Sequence, residues 1–137
     1  MLSDEEYQEK IYGYGLAKKY SQVFKYCRDR TRKTPFSSRG FELPKGWVGI
    51  IDDLAAGLLA VPGFDADNFE VAQIKEKFGA LRFYYQLSSS EDVLKAVRAL
   101  VDGAEAKSAK TCEVCGAPAQ RDESNAWIQT VCEAHAK

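Results

Sequence analysis

Cys112, Cys115, Cys132 and His135 constrain this chain more than any other feature. They read C-x2-C, sixteen intervening residues, then C-x2-H. Two short-spaced pairs of thiolate and imidazole donors meet the tetrahedral preference of Zn²⁺. The spacing therefore predicts a zinc ribbon over about 109–137. His135 is the single histidine of the chain, and three of its four cysteines belong to this set. Gly116, directly after the second cysteine, permits the tight backbone of a metal-binding knuckle. Four protein ligands close the tetrahedron, whereas a catalytic zinc keeps three and an open position. One structural Zn²⁺ is the expectation. A zinc deaminase pairs His-x-Glu with Pro-Cys-x-x-Cys; here the histidine comes last and no proline precedes Cys112, so that reading fails. A ribbon of this kind either staples the C-terminal end of a body or also serves as a recognition surface, and the sequence leaves both open.

A ribbon this small builds no core of its own, so the remainder must supply one. In 137 residues, 45% are hydrophobic and 28% charged, the composition of a globular chain rather than a disordered one. The acidic start Met1–Tyr7 lacks the apolar stretch of a secretory signal. No apolar run approaches the roughly 20 residues of a membrane span. Free thiols at metal spacing suit a reducing compartment. The expectation is a soluble, cytoplasmic protein without a membrane partner.

The periodicity predicts an α+β fold: a helical body over 1–108 with a central β-hairpin, and the zinc ribbon packed on it. Ser3 and Glu6 form a capping box that opens one kinked helix, or two in sequence, over about 3–28. Gly13 and Gly15 interrupt it, and Leu16, Tyr20, Val23, Phe24 and Cys27 share one face. Cys27 reads as a buried, inert thiol. Residues 34–46 read as a loop from their Pro, Gly and Ser content. A second helix over about 47–61 places Trp47, Ile50, Ile51, Leu54, Leu58 and Val61 on one face and stops at Pro62-Gly63.

The period then changes to that of a hairpin over about 70–87, turning at Phe78-Gly79. Leu81, Phe83, Tyr85 and Leu87 point one way, and Arg82, Tyr84 and Gln86 the other. Ser88 and Glu91 form a second capping box for a helix over about 90–108, striped with Val93, Val97, Leu100, Val101 and Ala104. A short strand, Ala126–Val131, delivers the second knuckle.

Charge is uneven. Residues 10–45 hold ten Lys/Arg against Asp29 and Glu42, a net +8, so the rest of a chain of net −1 sums to −9. Such asymmetry marks a face for a polyanion or an acidic partner, or a helix whose charges are matched within the domain. The candidate contact residues are Lys18, Lys19, Arg28, Arg30, Arg32 and Lys33, with Lys75, Lys77, Arg82 and Tyr84 of the hairpin. Basic and aromatic residues alternating on a hairpin can stack bases and meet phosphates. The same pattern also describes a hairpin with one face in the core and its basic face solvated. Asp52 and Asp53, adjacent on a helix, make a poor catalytic dyad. Asp65-Ala-Asp67-Asn68 lacks the glycine and distal glutamate of a calcium loop. With His135 committed to metal, no serine or cysteine has a histidine to activate it, and a non-enzymatic protein is expected.

Three segments carry a family resemblance: Gly46-Trp47 with Ile51-Asp52-Asp53-Leu54, the hairpin Gln73–Tyr85 (QIKEKFGALRFYY), and the tail Ala104-Glu-Ala-Lys-Ser108 leading to Cys112-Glu-Val-Cys115-Gly-Ala-Pro118 and Thr130-Val-Cys132-Glu-Ala-His135. Over about 46–137 the chain resembles a family of small, mostly uncharacterised bacteriophage and prophage proteins. The resemblance implies a biological setting rather than an activity. An accessory protein in that setting binds a host protein or complex, including one of defence or regulation, and nucleic acid is the alternative partner.

Overall fold

In the computed structural model, residues 2–124 and 126–136 are described. The chain is α+β, as its periodicity predicts. It runs α1 (Asp4–Ile11), α2 (Leu16–Lys19), α3 (Pro35–Arg39), a 3-10 turn (Lys45–Trp47), α4 (Val48–Ala60), β1 (Phe69–Lys77), β2 (Ala80–Leu87), α5 (Glu91–Ser108), β3 (Gln120–Asp122) and β4 (Gln129–Val131). No helix among the described residues is long and apolar enough to cross a membrane.

The N-terminal third departs most from expectation. Ser3 and Glu6 do form the capping box of α1. However, the helix expected over 3–28 stops at Ile11, where Gly13, Tyr14 and Gly15 all take positive φ. Only α2 and a chain of turns follow. The apolar face survives the loss of regular helix: Leu16, Val23 and Phe24 are buried, with Tyr20 and Cys27 packed against them. The Cys27 thiol donates to the Ile11 carbonyl at 3.2 Å, and burial pushes it up to about 11, consistent with an inert thiol.

Residues 34–46 are not a plain loop. Thr34 caps α3, its hydroxyl accepting from the Ser37 amide while Ser37 Oγ accepts from the Thr34 amide, both at 3.0 Å. Pro35 at the first helical position starts the helix rather than breaking it. The segment then sends Phe36, Phe41 and Leu43 into the core. Phe24, Phe36 and Phe41 form an aromatic cluster, with centroids 4.9 to 6.1 Å apart.

The middle of the chain matches its pattern closely. On α4, Ile50, Ile51, Leu54, Ala55 and Leu58 are buried behind Trp47, and on α5 Val93, Val97, Val101 and Ala104 face them. Each Val, Leu or Ile among them, once buried, contributes about 1.5–3 kcal/mol. The cap of α5 is Ser90, whose hydroxyl accepts from the Val93 amide, two residues after the expected Ser88.

The hairpin pairs antiparallel from Phe69↔Leu87 to Lys77↔Ala80. Phe78 and Gly79 both have positive φ, as a two-residue type I′ turn requires. A bulge between Val71 and Gln73 inserts Ala72, which keeps Phe69, Val71 and Ile74 all inward despite their uneven spacing. Neither edge of this two-stranded sheet is bare. The Glu42 amide donates to the Ile74 carbonyl beside β1. Beside β2, Ser108 Oγ accepts from the Leu81 amide at 2.8 Å and Glu105 Oε2 from the Phe83 amide at 2.9 Å.

Candidate metal centre

The C-terminal module is a minimal ribbon. The strand expected over Ala126–Val131 is shorter, Gln129–Val131, and it pairs with β3, which the sequence did not announce. Each ligand pair lies on its own turn. Cys112 and Cys115 flank the first knuckle, closed by the Gly116 amide donating to the Cys112 carbonyl at 2.9 Å. Cys132 and His135 flank a 3-10 turn, in which the His135 amide donates to the Cys132 carbonyl at 3.0 Å.

The four donor atoms all lie within 4.8 Å of one another and can hold a metal ion. Cys115 Sγ and Cys132 Sγ are 3.6 Å apart; His135 Nδ1 is 3.7 Å from Cys112 Sγ and 3.1 Å from Cys132 Sγ. A tetrahedral ion at about 2.3 Å from sulfur needs sulfur–sulfur edges of about 3.8 Å. The Cys115–Cys132 edge is close to that demand, and Nδ1 is the His135 nitrogen that faces the Cys112 and Cys132 sulfurs. Burial of Cys112 opposes its thiolate, but amides of Cys132, Cys115 and Val114 outweigh it and pull the thiol down to about 6. The His135 hydrogen bond holds Cys132 below the ordinary thiol range, and the same contact raises His135.

Backbone contacts lock the knuckle onto the body. The Gly46 amide donates to the Glu113 carbonyl at 2.9 Å, and Trp47 Nε1 to the Thr111 carbonyl at 2.8 Å. A Cβ on Gly46 would sit 2.1 Å from the Cys112 carbonyl oxygen, so the approach admits only glycine. The hairpin tip meets the ribbon from the other side, where Thr130 Oγ1 donates to the Gly79 carbonyl at 2.6 Å. Glu113 is buried beneath and accepts from the Thr130 amide at 2.7 Å, and that burial pushes its carboxyl up to about 7.

The expected contact residues fall into separate groups. Lys19 pairs with Asp52 at 2.8 Å, and Tyr20 donates to the same carboxylate. Lys18 and Lys33 are exposed. Arg32 pairs with Glu70, and Arg28 donates to the Ser38 carbonyl. Two basic side chains of the +8 segment, Lys19 and Arg32, are thus matched by carboxylates elsewhere in the domain. By contrast, Lys75, Lys77, Arg82 and Tyr84 share the outer face of the hairpin, with Lys75 and Arg82 direct register partners. Asp65 accepts from the Asp67 amide at 2.9 Å in a local turn, and Asp53 lies 3.8 Å from Lys107.

Sequence reasoning missed the surroundings of that face. Phe78 at the tip is 57% exposed, and on the ribbon Val114 is 50% and Trp127 66% exposed. Lys75, Pro44, Val114 and Trp127 line one cleft between hairpin and ribbon, together with the carboxylates of Glu42, Glu76 and Glu113. An isolated tryptophan after a polar run carries no spacing signal, which is why it escaped notice. No family model, curated protein or solved structure matches the chain.

Proposed function

We propose that this is a non-enzymatic binding protein whose ribbon holds one structural Zn²⁺ and whose hairpin face docks an acidic partner protein. The observation that carries the reading is the gathering of Lys75, Lys77, Arg82 and Tyr84 on one face, beside exposed Phe78, Val114 and Trp127. Exposed aromatic side chains beside an arginine are part of the composition of a protein contact surface. Three thiolates and one imidazole favour Zn²⁺ over harder cations, and the closed set makes the ion part of the architecture. The resemblance to phage and prophage proteins supplies the setting: the bacterial cytoplasm, with a host protein or complex of defence or regulation as the partner.

The test is capture from the bacterial host with the tagged, zinc-loaded chain and with a Lys75→Glu/Arg82→Glu/Tyr84→Ala variant. A stoichiometric protein recovered with the first and lost with the second is expected. No stoichiometric partner, or equal recovery with the folded variant, overturns the reading. The second reading, nucleic-acid binding through the basic residues, is favoured by Lys75 and Arg82 standing opposite each other without a carboxylate partner among the described residues. It predicts log affinity falling linearly with log salt, with a slope near −0.9 per neutralised phosphate of duplex DNA.

A further inference from the structure

We propose that Arg28, Arg30 and Arg32, with Ser38, form a cleft that binds a phosphate oxyanion. These residues and Ser37 line one concavity of about 360 Å³ between the turn after Cys27 and the start of the core-entering segment. It lies on other elements than the hairpin face, so neither proposal depends on the other.

Three guanidinium groups around one cavity repel each other unless something negative sits among them. The carboxylates nearby fill that role for Arg32 only. Glu70 is engaged by Arg32 alone, through Nε at 3.2 Å and Nη2 at 2.5 Å. Asp29 is turned to its own loop, accepting from the Thr31 amide at 2.9 Å and its hydroxyl at 2.6 Å. Ser37 Oγ donates to the Thr34 carbonyl and accepts from the Thr34 amide, which leaves Ser38 as the exposed hydroxyl of the pair.

Two of the three arginines are tied into the fold. Arg32 packs its guanidinium over the Tyr26 ring at 4.5 Å while pairing with Glu70. Arg28 donates one N–H to the Ser38 carbonyl, which fixes its head and leaves its remaining donors for a ligand. Arg30 is not held in this way. It is exposed and, among the described residues, forms no ion pair.

The backbone supports the same conclusion. Arg28 has φ 61°, a left-handed conformation that a long side chain rarely adopts, and its amide points to the Phe36 carbonyl at 3.5 Å. The surrounding structure holds that conformation and so directs the Arg28 side chain across to α3. Planar guanidinium forks present paired N–H groups that match two oxygens of a phosphate; with Arg32 engaged by Glu70, the donors left at the cavity are those of Arg28 and Arg30.

The source of the phosphate is either a nucleic-acid backbone or a free phosphate compound, and two probes separate them. Zinc-loaded chain is titrated with pyrophosphate while the arginine side-chain N–H signals are followed by NMR. A labelled oligothymidylate is titrated in parallel by fluorescence anisotropy at several salt concentrations. The expected result is saturable movement of the Arg28 and Arg30 signals with pyrophosphate, and about tenfold or greater weakening in Arg30→Gln. If the oligonucleotide binds more tightly and Arg30→Gln lowers its salt slope by about 0.7, the source is a nucleic-acid backbone. If it binds no more tightly than pyrophosphate, the source is a free phosphate compound. Arg30 is exposed and forms no ion pair among the described residues, so its variant keeps the fold even where Arg28→Gln does not. No movement of these signals with pyrophosphate together with no anisotropy change of the oligonucleotide, or unchanged affinity in folded Arg30→Gln, overturns the proposal.

Discussion

The Thr130 hydroxyl donates to the Gly79 carbonyl across 51 positions of sequence, joining the turn of the hairpin to the last strand of the ribbon. The contact is buried, and Glu113 takes the Thr130 amide on the same residue. Thr130→Val removes the donor while keeping the shape and leaves the Gly79 carbonyl without it, so a loss of about 1–3 kcal/mol is expected in chemical denaturation. Thr130→Ser, which keeps the hydroxyl, should lose clearly less.

Gly46→Ala places a methyl group where the Cys112 carbonyl and the Glu113 backbone already stand. Backbone cannot rotate aside as a side chain can, so the knuckle must lift away from the Trp47 turn. A destabilisation of about 2–3 kcal/mol is expected, together with weaker metal retention against a chelator. The neighbouring Gly49 has nothing within 4 Å of its added Cβ, and Gly49→Ala should cost little in the same assay.

Elemental analysis of purified protein should find one zinc per chain. Chelation should lower the melting temperature, and Cys132→Ser should reproduce most of that loss, because ligand geometry and folding are linked in so small a module. Protein that melts identically with and without metal would contradict the zinc assignment.

Asp52 gives the fold a pH signature. The Lys19 ammonium first, and then the Tyr20 hydroxyl, hold its carboxyl below the ordinary range. A carboxylate whose folded pKa is depressed stabilises the fold above its unfolded value and loses that contribution as pH falls through the folded value. Asp52→Asn should therefore be less stable than the parent at neutral pH, with the gap closing below about pH 4. Thermal melts of both proteins across that range read it directly. A gap that stays constant into strong acid would mean the ion pair is not its source.

The elements most legible in the sequence were those whose signal is periodic or chemical. The stripe on α5, the alternation of β2 and the ligand spacing each reflect a local geometric rule, and each appears as written. The segment between Ile11 and Phe41 resisted because its order is tertiary. Leu16, Val23 and Phe24 keep the spacing of a helical face without a continuous helix, since burial against Phe36 and Phe41 holds them there. The α3 cap was hidden because Ser37 replaces the Glu or Gln of the usual capping box. The bulge at Ala72 and the β3 strand were silent for a similar reason: a bulge is one residue long and β3 is three, too short for any period to show. The arginine cleft was visible only as a charged stretch, because the convergence of its side chains depends on the Arg28 backbone.

Ser108 and Glu105 sit on the open side of β2 and occupy the amides of Leu81 and Phe83. A two-stranded ribbon with free amides would be a template on which a second molecule could lay its own strand and begin to polymerise. By turning two polar side chains of α5 onto that margin, the chain closes this stretch of the template to edge-to-edge stacking. Strand addition along this stretch is thereby disfavoured, and what the hairpin displays to solvent there is side chains rather than backbone.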